Sequence, residues 1–289
     1  TDLFGSRDFL SVLFNNFLWI AFVPAATVIL GVLFAQLTNQ VGPRREKVIK
    51  SVIFMPMAIS FISASTIWKL IYLNAAEGRP QIGLWSHLCS AISSEILGQC
   101  GFDWMVLDME HSPNDLRSVL SQLQAIAPYA TEAMVRLYKF DKDLVKLYLD
   151  MGVRGFVFAN VESAQQARDI VASTRYPAQG GYRGVAGQQR GNRWGRVHGY
   201  AQHAHEQLCL MLQVESLPGV EHAREIAAVD GVDGIFVGPN DLAACMGHMG
   251  HSNHPEVQKT IHHILDEIKA AGKAPGILAV VEEDAKRYI

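Results

Sequence analysis

The chain has 289 residues, 49% of them hydrophobic, a formal net charge of −3 and four cysteines. So small a charge gives no basic footprint for a nucleic-acid partner, and cysteines that form no C-x-x-C pair argue against a disulfide framework and fit a reduced cytoplasmic protein. The length suits one large domain or two modest ones.

The averages conceal two unlike parts. No charged residue occurs from Phe9 to Pro43, or again from Ser51 to Trp68. A helix crossing the hydrocarbon core needs about 20 apolar residues. Phe9–Leu37 meets that, with Pro24 as a kink, and Ser51–Leu73 meets it if Lys69 snorkels to the interface. Between them PRREKVIK (Pro43–Lys50) is basic, which predicts a cytoplasmic loop with both outer ends of the segment outside. FNNFLWIAFVPAATVILGVLFAQLTNQ and VIFMPMAISFISASTIWKLIY resemble the first core helices of sugar-type ABC-importer permeases. That resemblance covers residues 9–73 and lacks the coupling motif of a whole permease. Residues 1–74 are therefore expected to be a membrane segment of two transmembrane helices, a permease fragment.

From Gln81 onward, short apolar runs alternate with amphipathic stretches. QIGLWS (81–86), WMVLD (104–108), AMVRL (133–137), GFVFA (155–159), CLMLQVE (209–215), GIFVG (234–238) and PGILAV (275–280) read as buried strands. HPEVQKTIHHILDEIKAAG (254–272) reads as a helix with Val257, Ile261, Ile264, Leu265 and Ile268 on one face, Pro255 near its first turn and Gly272 at its stop. This alternation predicts an α/β fold with parallel strands. The lack of a Gly-x-Gly-x-x-Gly turn favours a (β/α) barrel over a dinucleotide-binding sheet.

Four of these runs carry polar residues at or near their C-terminal ends. They supply Asp108, Glu110 and His111; Arg136; Gln213 and Glu215; and Asn240 and Asp241. Singly, each could cap a helix or face solvent, and Asp115 and Asp241 each precede a helix-like run. Together they predict an active site, because the C-terminal strand ends of a barrel converge on one mouth. Glu215 and Asp241 offer hard oxygen ligands, so Mg²⁺ or Mn²⁺ is expected over zinc. Arg136 can hold a carboxylate or a developing oxyanion, and His111 can act as a base near neutral pH. A metal bound to a 2-oxo acid would favour breaking of the adjacent carbon–carbon bond, the chemistry of a metal-dependent aldolase. No Schiff-base lysine is expected, since Lys139, Lys142 and Lys146 stand in polar or helical surroundings.

Residues 75–289 resemble the HpcH/HpaI aldolase family, through QIGLWS, GFDWMVLDMEHSPND, TRYPAQGGYRGV, QVES, GVDGIFVGPNDLAACMGHMG, HPEVQKTI and GKAPGILA. The resemblance is strongest to the branch acting on 2-dehydro-3-deoxyglucarate. It implies a (β/α)8 TIM barrel, here lacking its last strand and helix, whose relatives form homo-hexamers. It implies that His111 is the base, that Asp150 raises its basicity and that Arg136 stabilises the transition state. It further implies that Glu215 and Asp241 hold Mg²⁺ while Gln213, Asn240, Gly238 and Pro239 contact substrate. The reaction implied is reversible cleavage of a 3-deoxy-2-oxo diacid to pyruvate and an aldehyde such as tartronate semialdehyde. A 4-hydroxy-2-oxoheptanedioate-type aldolase, and a permease fragment with an inactive passenger, are the alternatives.

Departures from the family pattern fall near these residues. Met109 replaces a glycine and is expected to crowd the mouth, Asn240 replaces a serine or alanine, and Ala159 replaces a proline. GGYRG lengthens a loop expected near the substrate. The histidines of HAH (203–205) and HMGHSNH (248–254) are read as surface residues without the spacing of a zinc site. GQQRGNRWGRV (187–197) is read as meeting an anionic substrate or another subunit. By family the barrel belongs in the cytoplasm, yet the two spans would tie it to a membrane and carry it outside. The junction near residue 75 is therefore expected to join two genes. A continuous native transcript across Asn74, yielding one polypeptide of this length in cells, would overturn that expectation.

Overall fold

The computed structural model describes residues 80–288, which fall in the second of the chain's two units, Ile67–Ile289. The spans expected between residues 9 and 73 lie outside the described residues. Among the described residues no helix is long and apolar enough to cross a membrane.

Strands and helices alternate as β1 (Gly83–Ser86), α1 (Ala91–Gly98), β2 (Trp104–Asp108), α2 (Leu116–Ile126), β3 (Glu132–Leu137), α3 (Lys142–Met151), β4 (Gly155–Phe158) and α4 (Ala164–Thr174). They continue as α5 (Tyr200–His203), β5 (Cys209–Val214), α6 (Leu217–Glu221), α7 (Ala223–Ala227), β6 (Gly234–Val237), α8 (Pro239–Cys245), α9 (Pro255–Ala270), β7 (Ala274–Ile277) and α10 (Glu282–Tyr288). The helices begin where the sequence supplies caps. Asp115 accepts from Ser118 N while the Ser118 hydroxyl answers the Asp115 backbone, a capping box on α2. Asp141 and Ser163 cap α3 and α4 by accepting from backbone N–H groups of the first turn.

All seven strands are parallel and each lies beside its sequence neighbour, in the order β1 to β7. The sheet is strongly curled. Trp85 on β1 and Phe236 on β6 have ring centroids 4.9 Å apart. Five strand spacings would separate them by about 24 Å in a flat sheet. Trp104 on β2 also meets Phe236, edge-on at 6.4 Å.

Because alternate side chains leave a strand on opposite faces, the curl sorts the apolar residues into two cores. Leu107, Val135, Leu137, Phe156, Phe158, Leu212, Val214, Ile235 and Val237 point outward and pack beneath Val119, Tyr148, Ile170, Ile264 and other helix residues. The residues between them, Val106, Met134, Val157 and Cys209, point inward and pack with Trp85, Trp104 and Met211. The inner core is small, so each of its rings carries much of the closure. Phe236→Ala is expected to lower stability by about 3–5 kcal/mol, read from urea unfolding. Val280→Ala, at a position 83% exposed, should change it by less than about 0.5 kcal/mol.

Candidate active site

The inward positions continue past the inner core to the C-terminal strand ends, and there they turn polar. Two residues beyond Val106 stands Asp108, two beyond Met134 stands Arg136, and two beyond Met211 stands Gln213, followed by Glu215. Asp108 and Arg136 are register partners on β2 and β3. Arg136 Nε donates to Asp108 Oδ1 at 2.8 Å and Nη2 to Oδ2 at 2.7 Å, with Asp108 fully buried. This bidentate fork fixes the guanidinium plane, and the Trp85 ring lies 5.5 Å from its carbon. His87, two residues beyond Trp85, places Nε2 2.8 Å from Asp108 Oδ2. Burial alone would push the Asp108 carboxyl up, but the hydrogen bond and charge of Arg136 hold it below the usual carboxylate range.

The rest of the mouth is acidic. Glu215, 6% exposed, accepts from the backbone N–H of Asn160 at 2.9 Å and from Gln213 Nε2. Burial, with Asp241 and Glu110 adding negative field, pushes its carboxyl up to about 7. Burial likewise raises Glu110, against the pull of Arg136. Arg136 Nη1 comes within 2.9 Å of Glu110 Oε2, yet that oxygen accepts no aligned hydrogen bond, and neither does Gln213 Oε1. Gly238 has no room for a side chain, since a Cβ there would strike Glu215 Oε2 and stand 2.9 Å from Gln213 Nε2. Asp241 lies inside the first turn of α8, whose N-cap is Gly238, so it is not a capping residue. The buried Glu215, the half-buried Glu110 and the exposed Asp241 form an all-oxygen donor set that fits a hard divalent cation, whose charge would offset the burial and acidic neighbours that raise Glu215.

The structure thus brings Arg136, Gln213, Glu215, Gly238 and Asp241 of the predicted set to one end of the sheet. His111 lies exposed in the turn after β2, close enough to Glu110 for their charges to interact. Pro239 and Asn240 open α8 and line a shallow hollow with Ser252 and Asn253. Lys139 and Lys142 are exposed, and Lys146 pairs with Asp143 on α3.

Three expectations are corrected. Asp150 stands in the last turn of α3, just before β4 begins, at the opposite end of the sheet from His111. Its carboxylate accepts from the fully buried Arg183 at 3.0 Å, so it cannot raise the basicity of His111 within one chain. The GGYRG loop shares that opposite end, because it leads from the end of α4 toward the start of β5. Met109 does not crowd the mouth. It lies between the inward Asp108 and the mouth-lining Glu110 and packs outward on the helix-side core, where Tyr148 Oη is 2.7 Å from its sulfur. Sequence reasoning had noted Asp108 without giving it a role and had passed over His87 and Asn160. The period of two along β1 and β2 was the signal for the first pair, while Asn160 acts through its backbone and leaves no residue-type signal. A hollow of about 560 Å³ between α3 and Arg183–Gly184 contains none of the predicted site residues.

A curled parallel sheet with a fixed guanidinium and carboxylates at its C-terminal strand ends is the arrangement of a barrel-type enzyme. The sequence pattern described as HpcH/HpaI aldolase/citrate lyase matches residues 81–289. A 5-keto-4-deoxy-D-glucarate aldolase from Enterobacter sp. (strain 638) is 48% identical over 209 residues, covering 72% of this chain and 81% of the relative. A hydroxypyruvate/pyruvate aldolase from Chromohalobacter salexigens is 48% identical over 215 residues, covering 74% and 84%. The crystal structure of a member from Burkholderia cenocepacia J2315 superposes with a TM-score of 0.73 at 41% identity, covering 75% of this chain and 87% of that one. The chain belongs to the HpcH/HpaI aldolase/citrate lyase family and is a class II aldolase, a carbon–carbon lyase of a generally divalent-metal-dependent kind.

The raised Glu215 carboxyl links stability to pH. Without a cation, the folded state holds that proton more tightly than the unfolded chain. The associated stability is full below about pH 4.5 and is lost as pH rises through about 7, on the order of 3 kcal/mol at most. Asp108 contributes in the opposite sense, but its change is complete below pH 5 because its carboxyl is lowered. In EDTA the melting temperature should therefore fall between pH 5.5 and pH 8, and excess Mg²⁺ or Mn²⁺ should restore it at pH 8. A flat or rising profile in EDTA would refute the uncompensated carboxylate.

Proposed function

We propose that residues 75–289 reversibly cleave a 3-deoxy-2-oxo sugar diacid of the 5-keto-4-deoxy-D-glucarate type to pyruvate and an aldehyde such as tartronate semialdehyde. The observation that carries this is the pairing of a guanidinium locked by Asp108 with the oxygen donors of Glu215 and Asp241. Glu215 and Asp241 would hold Mg²⁺, or Mn²⁺, which would supply Lewis-acid polarisation of the 2-oxo acid. Arg136 is already aimed by its fork and meets the negative charge that grows on the 2-oxo group as the bond breaks. Gln213, with its carbonyl oxygen unpaired, and Gly238, Pro239 and Asn240 would seat the substrate. His111 would take the proton from the hydroxyl on the departing aldehyde carbon and return one in the reverse direction. A base acting with Asp150 would need Asp150 from a second copy, in keeping with the homo-oligomer implied by the family. A 4-hydroxy-2-oxoheptanedioate-type substrate shares the pyruvate half and differs only in the aldehyde.

The junction is read in the same spirit. Residues 9–73 would anchor the chain in a membrane as two permease-like spans, with the aldolase part attached after residue 74. Recovery of the full chain from alkaline-washed membranes tests this, and its quantitative release would refute it.

The first test of the activity does not require the aldehyde to be known. The full chain should exchange deuterium into the methyl group of pyruvate with Mg²⁺ present, and should stop in EDTA. His111→Ala should reduce turnover by about 10²–10⁴-fold while leaving pyruvate binding largely intact. No exchange with metal, under conditions where a full-length relative is active, would overturn the proposal. Mixing His111→Ala with Asp150→Asn chains should restore part of the activity, and no restoration would remove Asp150 from the base.

A further inference from the structure

We propose that His248, His254 and Glu256 form a binding site for a transition-metal dication of the zinc type, separate from the carboxylate site at the mouth. The three residues each bring a ligand atom, and those atoms all lie within 4.8 Å of one another. His248 Nε2 and Glu256 Oε2 are already 3.0 Å apart. That is close to the spacing of about 3.3 Å that two bonds of roughly 2.0–2.1 Å make in a tetrahedral site. The His254 ring is stacked on that of His248, with centroids 3.6 Å apart and planes 16° from parallel. A small swing of one half-buried ring would complete the set.

The backbone holds these ligands in place. His248 N–H donates to Ala243 O at the end of α8, His251 N–H to His248 O, and His254 N–H to His251 O. The last two are consecutive turns, and they bring the chain back on itself. Pro255 then starts α9, and His254 caps it by accepting from Glu256 N–H through Nδ1. That start returns Glu256 over the loop to His248. The carboxylate missing from the histidine cluster in sequence is therefore supplied two residues after it.

The donor set differs in kind from that of the mouth. Two imidazoles and one carboxylate suit zinc, with water as a fourth ligand, whereas an oxygen-only set suits magnesium. Glu256 is open to solvent, at 71% side-chain exposure, so a cation can enter. A bound ion would clamp the loop that follows α8 to the start of α9.

Zinc binding to the full chain should be measured by equilibrium dialysis in excess Mg²⁺, with metal quantified by mass spectrometry. One zinc per chain is expected, with affinity reduced by more than about 100-fold by His248→Phe, His254→Asn or Glu256→Gln, beyond what loss of an outer partner brings. Asn at position 254 keeps a helix cap, so that variant should fold as the native chain does. Glu215→Ala should leave this zinc in place. Zinc retained by all three loop variants, or released by Glu215→Ala, would overturn the proposal. Co²⁺ gives a second readout: its visible band should be lost in His254→Asn and kept in Glu215→Ala, and the reverse would refute the assignment.

Discussion

Asp108 and Arg136 meet across the β2–β3 ladder because both are inward residues at the same level of a curled parallel sheet. A charged pair this deeply buried is stable only if its geometry is good, and removing one partner would cost about 3–5 kcal/mol. That cost fixes the guanidinium more firmly than packing alone could. The register of two neighbouring strands therefore sets the direction in which the site presents its one fixed positive charge. Trp85 and His87, from the next strand, complete the surround.

The charges at the mouth do not balance. Asp108 takes two of the donors of Arg136 and Glu110 stands against a third, so Glu215 sets its hydrogen bonds from Asn160 and Gln213 against the negative field of Asp241 and Glu110. Burial and this acidic surround raise the Glu215 carboxyl, a cost that a divalent ion would relieve. Strain of this kind is retained where a ligand repays it. Gly238 belongs to the same arrangement, since only a residue without a side chain leaves Glu215 its place.

Much of this was legible from residue types and spacing. Each predicted strand coincides with an observed one to within a few residues, because buried parallel strands are short apolar runs that little else imitates. Arg136, Glu215 and Asp241 stood out as polar residues at or near the ends of such runs. Asp108 was visible too, but a carboxylate that holds another side chain looks in sequence like one that touches substrate. Met109 was misread because its direction depends on the pleat, which alternates whatever the residue type. Asp150 and the GGYRG loop were misplaced for a related reason. Family resemblance assigns roles without saying which end of the barrel a segment occupies, and a helix running antiparallel to its strand carries its last turn away from the mouth.

α8 shows how little structure holds one of the metal-binding candidates. Seven residues make a helix only about 10 Å long, too short to be stable from its own hydrogen bonds. Its start is set by Gly238 and Pro239, whose position Glu215 constrains, and buried Leu242 and Ala243 anchor its inner face. Its end is held by the His248 N–H bonded to Ala243 O. Asp241 therefore inherits its position from contacts at both ends of the helix, one inside the mouth and one in the loop that leads to α9. The loop that leads to α9 and the floor of the mouth therefore share one short helix, and Asp241 stands on it.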